Sequence, residues 1–330
     1  MATRLLLPLM RRLLRVQTVR GSSALHCWPR AVWLRMRRLA MRRLKRTTLA
    51  PLPHAHAQQL LRSAGREFGA GCFRLLPKDG GAFRSIHNLA KAPLAAAALG
   101  RDAPVNASLK AFFVAATAVC RRLPALHGTS VLGLAQAHER WRCFVAEWRT
   151  ARRAAGIAPD GGPPLHLSST DVINCYDTID QPRLYSAARD ALVTHCPELL
   201  LTRRVVRLRA GATCLLPRHT THVWAASEEP SAWARLESLA AAHDSAVLQE
   251  GAWQPALARG RALGTLAQHV FENVVWADGA FYHQAVGVPQ GSIASTLLCN
   301  LHYGALDHAH LARYLPHALD DDDDDDDDDD

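Results

Sequence analysis

Acid is missing where base is densest: the first 46 residues of this 330-residue chain hold thirteen Lys or Arg and no Asp or Glu. That composition suits a mitochondrial transit peptide, a nuclear import signal or a helix that meets nucleic acid. Long apolar runs are missing as well. The run from Leu5 to Met10 is broken by Pro8 and closed by Arg11, too short to span a bilayer, and no other stretch is long enough. A soluble chain with no membrane partner is expected. The eight cysteines (Cys27, Cys72, Cys120, Cys143, Cys175, Cys196, Cys214 and Cys299) include no C-x-x-C pair. This argues against a zinc cluster and a disulfide framework, and for reduced thiols in a nuclear or cytosolic protein. No H-E-x-x-H pattern surrounds His219 with His222 or His308 with His310, so these read as ordinary polar residues.

What is present is positive charge. The formal balance is +9, from 39 basic and 30 acidic residues, but eleven of the acids form the terminal run Asp320 to Asp330. Set that run aside and 19 acids face 39 bases, a balance of +20. Such a body attracts phosphates, releasing counterions as it binds and losing affinity as salt rises. The length is enough for a sizeable core and two lobes. The acidic run itself reads as low-complexity sequence, because adjacent like charges repel and cannot form a returning strand.

Local patterns predict the main elements. Cys72 to Leu76 and Ala82 to Leu89 are short extended runs separated by Pro77-Lys78-Asp-Gly-Gly81, which predicts a hairpin. Leu165 to Ile173 reads as a strand. Asp180 and Pro182 open a helix whose Leu184, Ala187, Ala188, Ala191 and Leu192 share a face, expected to pack on a sheet. Arg203 to Arg209 predicts a strand with Val206 and Leu208 on one face and Arg207 and Arg209 on the other. From Gly211 to about Arg261 the pattern is irregular, with Trp224, Trp233 and Trp253 expected in local core. After Gly291, Ser292 is expected to cap a helix lined by Ile293, Leu297, Leu301 and Ala305.

Two segments carry the chemistry. One is Asp171-Val172-Ile-Asn-Cys-Tyr176-Asp177; the other is Gly287-Val-Pro289-Gln290-Gly291-Ser292. A strand-end carboxylate followed by an aromatic residue and a helix is what holds Mg²⁺ beside a sugar. Upstream lie Phe73 to Asn88, with Lys78 and Arg84, then Val131 to Val145, and a basic segment containing Ala31-Val-Trp33-Leu. In this order the motifs resemble those of the telomerase reverse transcriptases: Trp33 the end of the T motif, Lys78 and Arg84 the first two polymerase motifs, Val131 to Val145 the third. The separation of Asp177 from Gly287 resembles that family's insertion in the fingers.

The resemblance implies an α+β fold, the fingers and partial palm of a right-hand polymerase, with an antiparallel sheet, packed helices and the thumb absent. It implies a basic targeting or disordered segment over 1–30, the end of the RNA-binding region and fingers over 31–160, and a partial palm over 161–319. The insertion falls at about 211–261 and the acidic tail at 320–330. By the same resemblance, Lys78 and Arg84 neutralise the incoming triphosphate. Asp171 and the Val172 carbonyl hold Mg²⁺, and Tyr176 lies beneath the sugar and selects deoxynucleotides. Pro289, Gln290, Gly291 and Ser292 contact template and primer. Asp177 is expected to face away at strand spacing, in a structural role. The family's paired Asp-Asp turn has no convincing copy here. Asp320 and Asp321 have its local look but lead into the acidic run. A chain inactive by itself is therefore expected. The implied partners are a telomerase template RNA, a single-stranded telomeric DNA primer, a dNTP and further ribonucleoprotein subunits, at the telomere in the nucleus or, from the N-terminal composition, in mitochondria. A retroelement or group II intron reverse transcriptase and a non-catalytic RNA-binding module are the alternatives.

Overall fold

A computed structural model describes residues 2–18, 25–77, 83–100, 102–131, 133–158, 166, 171–207, 218–225, 227, 234, 246–248 and 257–311. Helix α1 (Ala2–Leu13) leads into a hairpin of β1 (Leu14–Thr18) and β2 (Leu25–Pro29), followed by α2 (Arg30–Thr47). The segment expected as targeting or disordered sequence thus carries regular structure. Its anchor is aromatic: the Arg15 guanidinium lies 5.7 Å from the Trp33 ring centre, Trp28 is 5.5 Å from the same ring, and Trp33 meets Phe83 edge-on at 5.9 Å. Burying Trp33 therefore fixes the hairpin, α2 and the following sheet to one another.

That sheet is built from β3 (Leu49–Leu52), β4 (Gly71–Pro77), β5 (Phe83–Asn88), β10 (Val274–Ala277) and β11 (Ala280–Gln284), in the order β3-β11-β10-β4-β5. All neighbours are antiparallel except β10 and β4, so the expected antiparallel sheet holds one parallel pairing. The predicted hairpin of β4 and β5 forms, with Cys72 opposite Asn88 and Pro77 opposite Phe83. Its turn, including Lys78, lies outside the described residues. Strand alternation feeds two layers. Val274 and Phe281 point to Ala57 and Leu61 of α3 (His54–Arg62) and to Ala96 of α4 (Leu94–Ala97), while Ala277 and Tyr282 point to Met41 of α2.

A helical core adjoins this sheet. After α5 (Val105–Ser108), helix α6 (Lys110–Arg122) gives Phe112, Ala115, Ala116 and Val119 to one buried cluster. A 3₁₀ turn (Pro124–His127) and α7 (Leu134–Ala154) follow; α7 has no buried residue along its length. The one-turn α8 (Cys175–Thr178) precedes α9 (Gln181–His195), whose Leu184, Ala188 and Leu192 join the cluster. The cap is as expected, Asp180 Oδ1 accepting from the Arg183 amide at 2.8 Å. The expectation that α9 packs on a sheet is wrong. Its apolar face meets α6, α10 (Arg259–Phe271) and α11 (Ser295–His310), because their wide apolar stripes close a helix-on-helix core.

Strand β6 (Leu199–Arg207) pairs antiparallel with β7 (Arg218–Ala225), β8 (Ala246–Leu248) and β9 (Leu257–Ala258). The described residues of the stretch expected to be irregular therefore supply three strands that pair with β6, and Val223 and Leu257 from them join Leu200 of β6 at the helical core. The β6 side chains from 201 to 207, and Trp224, Trp233 and Trp253, lie outside the described residues, as do the two-faced arginine pattern and the local core expected there. Buried Arg66 ties the loop before β4 to α10, donating from Nη1 to Glu272 Oε2 at 2.9 Å and from Nε to the Phe68 carbonyl at 3.0 Å. The fold is mixed α/β, with antiparallel-rich sheets and helices gathered beside them.

Candidate active site

The two chemistry-bearing segments, 110 positions apart between Asp177 and Gly287, meet in space. Gly287 donates its amide to the Ile179 carbonyl at 3.1 Å, and Val288 donates to the Tyr176 carbonyl at 2.8 Å. Contact this close needs glycine twice over. Gly287 has φ +72°, and a Cβ there would run into the Tyr176 carbonyl and the Asp177 backbone. Gln181 locks the junction, its Nε2 donating to the carbonyls of Gly287 at 2.9 Å and Gln284 at 3.2 Å. The buried Gln284 side chain in turn accepts at Oε1 from Asn273 Nδ2 at 2.8 Å.

The same turn sits on β5. His87 donates its amide to the Gln290 carbonyl at 2.8 Å, and Gly291, at φ +121°, brings its backbone against that of His87. A Cβ at Gly291 would run into the His87 carbonyl, so this approach needs a residue without a side chain. Arg84, three positions before His87 on β5 and so on the opposite face of that strand, donates from Nε to Gln290 Oε1 at 2.9 Å. Arg84 and Gln290, nominated separately, are one hydrogen-bonded unit. The His87 imidazole is buried, lacks a hydrogen-bond partner and meets Phe73 edge-on at 5.1 Å. Burial lowers its pKa to about 4, so it is neutral at physiological pH.

Asp171 and Val172 are exposed and belong to no strand; the residues before them lie outside the described ones, except His166. Asn174, in the left-handed region at φ 53°, turns the chain into α8. Strand spacing consequently does not orient Asp177. It lies in the helical turn and receives a hydrogen bond from the Ser85 hydroxyl at 3.4 Å, which joins the turn to β5. Tyr176 is half-buried, its side against the helical core. The Cys175 and Cys299 sulfurs are 3.6 Å apart, and burial pushes the Cys299 thiol well above its ordinary pKa. All described cysteines are free, and Cys214 lies outside the described residues.

Ser292 does not cap α11. The helix begins at Ser295, and the Ser292 hydroxyl instead accepts from the Ala294 amide at 3.1 Å, closing a local turn. The three-residue delay rotates the buried face to Leu297, Leu298, Leu301 and His302, leaving Ile293 before the helix and Ala305 exposed. Gln181, Ser85 and Asn106, which hold the turn, were not nominated from the sequence. Gln181 had a signal: it lies on the apolar face of α9, in register with Leu184 and Ala188.

The oxygen ligands nominated for Mg²⁺ suit a hard cation in kind. In number they fall short: no group of three or more His, Cys, Asp or Glu side chains placed to hold a metal occurs among the described residues, and Asp320 and Asp321 lie outside them. A basic cavity of about 750 Å³ is lined by Arg11, Arg15, Arg30, Arg37, Arg74 and Trp33, among others. No described helix is long and apolar enough to cross a membrane.

No family model matches the chain. Among curated proteins it is 29% identical over 307 residues to telomerase reverse transcriptase of Bos taurus and 27% identical over 304 residues to that of Canis lupus familiaris. Each match covers 88% of this chain and 26% of the relative, so the chain spans about a quarter of the curated relatives' length. The solved telomerase from Candida albicans, in complex with the TWJ fragment of telomeric RNA, shares its fold at a TM-score of 0.56 and 17% identity, covering 96% of this chain and 44% of that one. The resemblance to telomerase reverse transcriptase thus runs through most of the chain.

Proposed function

We propose that this chain is the fingers and part of the palm of a telomerase-type RNA-directed DNA polymerase, one that adds deoxynucleotides to chromosome 3′ ends within a longer protein. The observation that carries the reading is the junction of three separately nominated pieces: Arg84 on β5, the Tyr176 to Ile179 turn and the Gly287 to Ser292 turn. A polymerase needs these functions side by side: cations over the triphosphate, an aromatic floor under the sugar, and a backbone surface for the nascent pair. Arg84, with its Nε committed to Gln290, couples phosphate binding to the template side. Tyr176 is backed by the helical core and offers a ring that a 2′-hydroxyl would strike. Lys78 is the second triphosphate cation of this reading.

Asp171, with the Val172 carbonyl, would hold Mg²⁺, which when bound activates the primer hydroxyl and neutralises the triphosphate. The described residues bring one such carboxylate, so the 330-residue chain is proposed to bind substrate without extending a primer. Its basic cavity beside Trp33 suits the phosphates of a template RNA. Telomeric DNA primer, dNTP and other ribonucleoprotein subunits complete the proposed partners, and the nucleus the proposed location. The strands of the 211–261 stretch favour the telomerase reading over a retroelement enzyme, since they form a structured insertion between the two motifs.

Fluorescence anisotropy of a labelled RNA–DNA hybrid tests this. Affinity should fall by orders of magnitude between about 50 mM and about 200 mM salt, log K declining linearly with log salt. Absence of binding at low salt, or a flat salt dependence, contradicts the reading. Binding that never supports nucleotide addition in the longer protein points to the non-catalytic module.

A further inference from the structure

The template-side turn is gripped on one flank by Gln181 and from below by His87. Its outer flank is met by Asn106. The Asn106 Nδ2 donates to the Gly291 carbonyl at 3.2 Å, and its Oδ1 accepts from the Ile293 amide at 3.1 Å. One carboxamide thereby offers both the donor and the acceptor that a neighbouring strand would present. The side chain is mounted on a fixed base. Val105 and Leu109 on either side of it are buried with Phe68 and Leu89, the Asn106 amide donates to the Leu89 carbonyl at 3.0 Å, and the Ser108 hydroxyl donates to the Glu67 carbonyl at 2.8 Å.

We infer that Asn106 is a positioning residue for template and primer: it sets the orientation of the Gly291 to Ile293 backbone, and through it the residues proposed to touch the hybrid. This rests on the polymerase reading of that turn. The physical case is one of order rather than stability. Asn106 is half-exposed, so water can replace both of its hydrogen bonds and their net worth to the fold is small. Gly291, however, has the freest backbone in the chain's vocabulary, and a turn pivoting on it swings unless both its sides are held. Leu89 and Phe68 hold Asn106 whether or not the turn is in place. Asparagine fits the task because aspartate lacks the donor and turns a charge toward the Gly291 carbonyl, serine is too short, and glutamine is one methylene too long.

The test uses the 330-residue chain, a labelled RNA–DNA hybrid, amide hydrogen exchange and a denaturation midpoint. In Asn106→Ala, hybrid affinity should drop roughly three- to tenfold, the Ile293 amide should exchange correspondingly faster, and the unfolding midpoint should stay near that of the unsubstituted protein. Asn106→Asp separates positioning from bulk. Near pH 7.5 its carboxylate should weaken binding at least as much as alanine does. Towards about pH 4.5 the acid form regains a donor, so its deficit relative to the unsubstituted chain should shrink while that of Asn106→Ala stays constant. Unchanged affinity in Asn106→Ala, or an Asn106→Asp deficit that parallels the alanine variant at every pH, overturns the inference. If the unsubstituted chain binds no hybrid, the polymerase reading falls and the functional role of Asn106 falls with it. An unprotected Ile293 amide in the unsubstituted chain refutes the clamp alone.

Discussion

Replacing Gly287 by alanine strikes the contact on which the site depends. Two costs can be worked from the structure. At φ +72° a side chain imposes a left-handed backbone, which costs a non-glycine residue about 1–2 kcal/mol. The new Cβ also meets the Tyr176 carbonyl and the Asp177 backbone, neither of which can rotate away as a flexible side chain could. Forcing such a close-packed contact apart adds about 1–3 kcal/mol. The expected loss is therefore about 2–5 kcal/mol. Gly100 provides the control, with φ +82° and open space where a Cβ would stand, so Gly100→Ala carries the backbone cost alone, about 1–2 kcal/mol. Denaturant unfolding followed by far-ultraviolet circular dichroism measures both, with hybrid affinity as the second readout. Gly287→Ala should lose more stability than Gly100→Ala and should also lose hybrid binding. Equal midpoints for the two variants would refute the junction as described.

The buried His87 predicts an acid-sensitive fold. Its folded pKa of about 4 lies below the ordinary 6.5, so its contribution is complete above about pH 6.5 and is lost as pH falls towards 4, up to roughly 3 kcal/mol. Chemical denaturation from pH 7.5 downwards should show that loss, and His87→Leu should flatten it; an unchanged slope counts against it. His269, held down to about 3 by burial and then by His87, should add to the same slope. Tyr176→Ala, in a protein of the relatives' full length, should raise ribonucleotide incorporation relative to deoxynucleotide, measured by competing the two substrates. Unaltered sugar preference would remove Tyr176 from that role.

Legibility followed the range of the interaction. The β4–β5 hairpin was readable because its turn chemistry and both strands fall within a short window, and the α9 start because Asp180 caps a backbone amide three residues away. The start of α11 misled because Ser292 has the right chemistry for a cap, yet its hydroxyl closes a turn with the Ala294 amide before the helix begins at Ser295. The strands after Gly211 were hidden because what stabilises them is pairing with β6, which leaves no periodic signal in the strands themselves. In the candidate site the sequence nominates residues but not the connections between them. Arg84 and Gln290 pair across 206 positions, and no local pattern foretells that one guanidinium serves both motifs. Asn106 left no trace for the same reason. Gln181 was the exception, a polar side chain on an apolar helix face, and its two carbonyl partners account for it.

The central claim is that the exposed Asp171 beside this junction serves nucleotide addition. Its most direct test is single-turnover primer extension on an RNA template, by a protein of the relatives' full length carrying this segment, with hybrid affinity measured on the same preparation. Asp171→Ala should lower the rate of deoxynucleotide addition by roughly a thousandfold or more, the equivalent of several kcal/mol, while affinity for the hybrid stays within about twofold. Addition at an undiminished rate by the Asp171→Ala protein would contradict the account.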